Sequence, residues 1–190
     1  MIYQVCRLER QHVRAAFDCG DHSLNQYIQQ FAWQNQNRYG IGTTYVMVNT
    51  LMPPILADGP IVIGYYTLAM TEVPTLGLPA NLGRFPYKMV PAVLIARLAV
   101  VKQLRGKGLG TQLLRDAIER TLAIGQNVGC RCIVVDAYPT ALDWYKKFGF
   151  IVVNDPVSAS STYKMILDLR TVTKALFTKQ STAISGIPDF

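Results

Sequence analysis

Residues 89 to 115, MVPAVLIARLAVVKQLRGKGLGTQLLR, leave this chain few ways to fold. An apolar run from Met89 to Ile95, taken up again after Arg97 by Leu98 to Val101, reads as a strand buried on both faces. It is too short, and too interrupted by Arg97, to cross a bilayer. Arg105-Gly106-Lys107-Gly108-Leu109-Gly110 then places glycines at alternate positions, and Leu113, Leu114, Ala117, Ile118 and Leu122 recur at helical spacing. The segment is a strand, a tight turn and a helix N-terminus in direct succession.

Glycines let successive backbone N–H groups point into one concavity, and the helix dipole adds partial positive charge there. A pyrophosphate is the natural guest. Counting excludes two familiar phosphate loops: no Gly-Lys-Ser/Thr occurs here, and position 111, three residues after Gly108, is Thr where a dinucleotide fingerprint needs Gly. Two readings stay open, a phosphate cradle and a plain strand-to-helix turn.

The charge narrows the choice of partner. The chain carries a net charge of +7, and from Val73 to Arg115 it has no acidic residue but seven cations: Arg84, Lys88, Arg97, Lys102, Arg105, Lys107 and Arg115. The whole excess lies in that window. A charge kept only for solubility would be spread out. A phosphate-bearing cofactor uses some of these groups; the remainder suits a polyanion such as RNA, or simply solvates a loop.

With 190 residues, 50% of them hydrophobic, the chain has the material for one domain with a proper core. No secretory leader pattern and no long apolar span stand out, so a cytoplasmic protein without a membrane segment is expected. Cys6, Cys19, Cys130 and Cys132 lack zinc spacing and read as reduced thiols, so no metal site is expected.

Taken in order, residues 2 to 8 read as a strand and Arg10 to Phe17 as a helical turn or two. A clearer helix is capped by Asp21 or Ser23, with Leu24, Tyr27, Ile28, Phe31 and Ala32 on one apolar face. Its other face, Gln26, Gln29, Gln30, Gln34, Asn35 and Gln36, suits exposed surface or the lining of an acceptor cleft. His12 and His22 suggest surface or cap roles in these helices. Thr43 to Asn49 and Ile61 to Met70 read as strands. Thr71 to Lys88, broken by Pro74, Pro79 and Pro86, is a loop long enough to be functional, and its Arg84 and Lys88 make it the candidate acceptor loop. The helix after the glycine turn is expected to run to about Ala123 and stop at Gly125, with the next strand at Cys130 to Ala137. A late helix starts at Pro139 or Thr140 and ends at Gly149, and Thr162 to Leu169 closes the sheet. Beyond it, a short helix around Val172 to Phe177 is expected in a tail of unassigned role.

Arg105-x-x-Gly108-x-Gly110 resembles the acyl-CoA-binding signature of the GNAT superfamily of N-acetyltransferases. Ala141-Leu142-Asp143-Trp144-Tyr145-Lys146-Lys147-Phe148-Gly149-Phe150 resembles that family's late helix, a Tyr followed by aromatic-Gly-Phe. Phe17-Asp18-Cys19-Gly20-Asp21-His22-Ser23-Leu24-Asn25-Gln26-Tyr27, Ala32-x-x-Asn35-Gln36 and Ala96-Arg97-Leu98-Ala99-Val100 resemble the GNAT-type toxins of bacterial toxin–antitoxin pairs. The likeness runs in consistent order over roughly residues 3 to 169.

The resemblance implies an α/β fold: a central mixed sheet flanked by helices, with splayed parallel strands that bind acyl-CoA. Residues 1–170 would form a single acetyltransferase domain and 171–190 an extension. Acetyl-CoA would be the co-substrate, held by main-chain groups of Leu98, Ala99 and Val100, by the turn residues Arg105, Gly106, Lys107, Gly108, Leu109 and Gly110, and by Tyr145. The implied acceptor is the amino acid on aminoacyl-tRNA, with Arg84, Lys88 and Arg97 as RNA contacts. A ribbon-helix-helix antitoxin and a second copy of the chain are the implied partners.

Acetyl transfer to an amine needs a route for the amine proton, donors for the acyl oxygen and an acid near the sulfur. On residue type alone Tyr145 reads as a core aromatic beside Trp144 and Phe148; the resemblance makes it the acid. No carboxylate stands out as base: Asp136 lies in a buried-looking strand, Asp143 on a helix surface, and Val101 stands where related toxins often carry Asp. A small amine or a protein N-terminus is the alternative acceptor, although a polyamine would call for an acidic cleft. A domain that binds acyl-CoA without turnover is the third reading.

Overall fold

The computed structural model describes residues 3–49, 59–76, 78–79, 82–153 and 162–173. Its strands are β1 (Tyr3–Arg7), β2 (Thr43–Asn49), β3 (Val62–Pro74), β4 (Met89–Val100), β5 (Cys132–Ala137), β6 (Ile151–Val152) and β7 (Tyr163–Asp168), in one sheet of order β1-β2-β3-β4-β5-β7-β6. The helices are α1 (His22–Gln26), α2 (Ala32–Gln34), α3 (Leu109–Val128) and α4 (Leu142–Lys146). The neighbours β4 and β5 are joined through α3, the crossover that a parallel pair requires. Pairs β1–β2, β2–β3, β5–β7 and β6–β7 are antiparallel, so the sheet is mixed. The chain forms two compact units, Met1–Met70 with Leu94–Arg120, and Thr71–Val93 with Thr121–Phe190.

In the first unit Asp21, extended and accepting from the Leu24 N–H, caps α1. The helix runs on through a widened turn, Tyr27–Phe31, then α2 and a second widened turn, Asn35–Tyr39, to left-handed Gly40. Tyr27, Ile28 and Ala32 are buried in a core with Leu8, Phe17, Val46 and Tyr65. Gln36 is not surface: its amide donates to the Leu8 carbonyl at 2.9 Å and accepts from the Thr44 N–H at 3.0 Å, joining the end of β1 to the start of β2. Periodicity places a residue on a face; it does not say which orphan backbone groups that face will meet.

Arg10 to Phe17 is not helical. Val13 forms a bridge to Ile61, exchanging hydrogen bonds of 2.9 Å with Pro60 and Val62, and the backbone bonds satisfied there leave no call for a helix. His12, expected on the surface, is buried, accepting from the Glu9 N–H at Nδ1. At Gly64 a Cβ would come 2.9 Å from Leu113 Cδ1, so α3 lies close on β3 because that residue is glycine.

In the second unit β3 continues past Met70 to Pro74, taking residues expected in the loop. The start of β4 exposes Met89 and Pro91, so burial on both faces begins only farther along the strand. Helix α3 passes through Gly125, where a Cβ would touch Cys130, and ends at left-handed Gly129. Asp136, expected to be buried, is exposed opposite Lys164. Gly149 ends the turn after α4 at φ +85°, as its position suggested. Residues 169–173 are helical, starting earlier than expected, and the rest of the tail lies outside the described residues. Among the described residues no helix is long and apolar enough to cross a membrane.

Candidate functional site

In the first unit β4 delivers the chain to the glycine turn. Val101 N–H donates to the Ile63 carbonyl on β3 at 2.9 Å, and strand alternation therefore aims the main-chain groups of Leu98 and Val100 at the opposite edge. Gly106 and Gly108 adopt φ of +75° and +78°, and a Cβ at either would meet nothing within 4 Å. Open space and left-handed backbone coincide there. The first hydrogen bond of α3 from this turn runs from Gln112 N–H to the Gly108 carbonyl, which leaves the N–H groups of Leu109, Gly110 and Thr111 at the end of a 20-residue dipole. This is a cradle for a phosphate approached by backbone.

The turn is clamped from one side. Lys102 N–H donates to the Asp18 carbonyl at 3.0 Å, its ammonium lies 2.5 Å from the Asp18 carboxylate, and the Arg105 guanidinium donates to the Cys19 carbonyl. Asp18 also accepts from Gly20 N–H and Asn25 Nδ2. These donors, Lys102 first, lower the Asp18 carboxyl to about 2. Two of the seven cations are thus engaged in shaping the turn. Arg97 is a third case, with its guanidinium 3.8 Å from the Tyr27 ring centroid. The role of Asp18 went unread in the sequence; the Asp18-Cys19-Gly20-Asp21 cluster was its only local signal.

In the second unit Tyr145 is buried, edge-on to Trp144 at 4.8 Å and to Phe150 at 5.3 Å. Burial pushes its phenol up to about 12. At neutral pH the proton stays on. Arg84 and Lys88 are exposed on the loop before β4, and with Lys107 and Arg115 they form no ion pair among the described residues. A residue that composition did not single out, Arg131, ties that loop to β7 through Asp168. The glycine turn, Leu98 to Val100 and Arg97 therefore belong to one unit, and Tyr145, Arg84 and Lys88 to the other.

Known proteins share this arrangement of chain. Residues 57–152 match the acetyltransferase (GNAT) domain. The chain is 34% identical over 144 residues to the tRNA-acetylating toxin of Mycobacterium tuberculosis, spanning 75% of this chain and 81% of that protein. It is 27% identical over 127 residues to a probable toxin TacT of Sinorhizobium fredii, 66% of each chain. A structure of AtaT complexed with acetyl-methionyl-tRNAfMet has the same fold, with a TM-score of 0.78 at 25% identity over 93% of this chain and 99% of that one.

Proposed function

Because the chain belongs to the GNAT family of acetyltransferases, we propose that it acetylates the α-amino group of an amino acid esterified to tRNA and so acts as a translation-blocking toxin. Acetyl-CoA is the acyl donor and supplies an activated thioester. The residues present fit that group: the open, left-handed Gly106 and Gly108 and the first-turn N–H groups of α3 suit its pyrophosphate, with Arg105 and Lys107 beside them. The outward main-chain groups of Leu98 and Val100 suit its amide-bearing arm, and an N–H there is placed to stabilise charge growing on the acyl oxygen.

Tyr145 is the acid that returns a proton to the departing sulfur. Its phenol, raised by burial, keeps its proton at neutral pH and so has one to give to a developing thiolate. No dedicated base is required of this chain: the proton shed by the attacking nitrogen passes to water, and Tyr145 is reprotonated from solvent. An α-amino group titrates near ~8 and a lysine near ~10.4, so an aminoacyl acceptor is far more often neutral at pH 7.

The acceptor is carried by one observation, the acid-free window, whose Arg84 and Lys88 are exposed and form no ion pair among the described residues. A polyanion answers that surface better than a cationic polyamine does. Arg97 completes the set of RNA contacts. The protein works in the cytoplasm, as a homodimer restrained by a ribbon-helix-helix antitoxin.

Mass spectrometry of amino acids released from tRNA after incubation with acetyl-CoA should find acetylated adducts. Acetylation of a polyamine or peptide with none on tRNA would overturn the acceptor. Light scattering should give a two-chain mass; a single-chain mass at micromolar concentration would remove the dimer.

A further inference from the structure

The loop that carries Arg84 and Lys88 is fastened at both ends. At the first, Arg131 Nη2 donates to the Leu82 carbonyl at 2.8 Å and to Asp168 Oδ2 at 3.0 Å, with the Phe85 ring centroid 5.1 Å from the guanidinium. The Arg131 and Asp168 side chains are 12% and 11% exposed, so this pair is a strut within the fold. At the second, Thr75 N–H donates to the Lys88 carbonyl at 2.8 Å, and the Thr75 hydroxyl lies 3.0 Å and 3.1 Å from the carbonyl oxygens of Tyr87 and Lys88.

The side chains between these ties stay in water. Tyr87 is 75% exposed, and Arg84 and Lys88 are exposed on either side of it. A lone exposed tyrosine is ordinary. A ring on a doubly tied backbone, flanked by cations that form no ion pair among the described residues and inside a stretch without one carboxylate, is the combination that holds unpaired nucleic acid: a face for a base and charges for its phosphates.

We propose that residues 84–88 are a docking element for single-stranded RNA, in which Tyr87 stacks on a nucleobase while Arg84 and Lys88 hold the backbone phosphates. The proposal rests on the RNA acceptor proposed above and names the part of that RNA which is read, an unpaired end. Every base has a π-face, so the element tolerates sequence and selects against duplex. An acidic peptide would need the two cations and not the ring.

Fluorescence anisotropy with a labelled short single-stranded RNA and a blunt RNA duplex, over a range of KCl, tests this. Tyr87→Ala should weaken the single strand by ~5- to 100-fold, leave the duplex and acetyl-CoA affinities unchanged, and leave the salt slope intact, while Tyr87→Trp retains binding. Arg84→Gln and Lys88→Gln should each flatten the log–log salt slope by ~0.7. Unchanged single-strand affinity in Tyr87→Ala, or an equal loss on duplex, would overturn the proposal. If Tyr87 dependence holds while no acetylated amino acid is released from tRNA, the docking element stands and the acceptor falls. If wild type and Tyr87→Ala bind and acetylate aminoacyl-tRNA equally, the acceptor stands and the element falls.

Discussion

Tyr145 sits against two aromatic rings, and either packing or proton transfer accounts for a tyrosine there. The two roles separate on one atom. Tyr145→Phe keeps the ring and its edge-on contacts but removes the proton, so folding and acetyl-CoA affinity should persist while turnover falls by roughly 10²- to 10⁴-fold. Near-normal turnover would assign Tyr145 to the core. Because the phenol is raised to about 12, wild-type kcat should show no falling limb from this group between pH 7 and 10; a loss centred near 9 that is absent from the Phe variant would contradict its placement. The residue type was legible, and so was its helix. So was a place in the core, but not the full set of its neighbours: beside Trp144 the second ring is Phe150, which returns from the far side of the Gly149 turn, while Phe148 packs on Trp144.

The strand, turn and helix from Met89 to Val128 act as one element. Gly108→Asp places a Cβ on left-handed backbone and a carboxylate beside the α3 N-terminus, where a phosphate should sit. Calorimetry should find acetyl-CoA binding abolished in a protein whose circular dichroism is unchanged; full affinity would move the pyrophosphate elsewhere. This element was readable because its signals are local: alternating glycines and apolar residues at helical spacing. Its far end was misread for the same reason. Gly125 looks like a stop until Cys130 is seen packed against it, and only then does Gly129 emerge as the terminator.

Three of the buried tyrosines carry much of the protein's response to alkali. Burial raises the phenols of Tyr65 and Tyr66, and the Asp116 carboxylate that accepts from the Tyr66 hydroxyl raises it further; burial lifts Tyr145 to about 12. Each folded value lies above the ~10 of an unfolded tyrosine, so the unfolded chain loses these protons first. Their stabilisation is whole below pH 10 and drains as pH rises, with the share from Tyr145 gone beyond about 12. Urea midpoints should ease from about pH 8.5, where the unfolded chain's cysteines ionise ahead of the four thiols raised in the fold, and drop steeply above about pH 9.5 as the tyrosines follow. A level course to pH 11.5 would mean that these rings ionise normally in the fold. The same division runs through the entire chain. Strand and helix periodicity, the glycine turn and the acid-free window are properties of neighbouring residues, and they sufficed for a strand, a turn able to cradle a phosphate, a helix and a cationic stretch; acetyl-CoA entered through the resemblance to the GNAT family. The irregular path from Arg10 to Phe17, the burial of Gln36, the Asp18 clamp and the Arg131 strut each depend on a partner far along the chain. Backbone groups left over by secondary structure must find such partners when buried, and which side chain meets them is settled by packing, over distances that no sequence window spans.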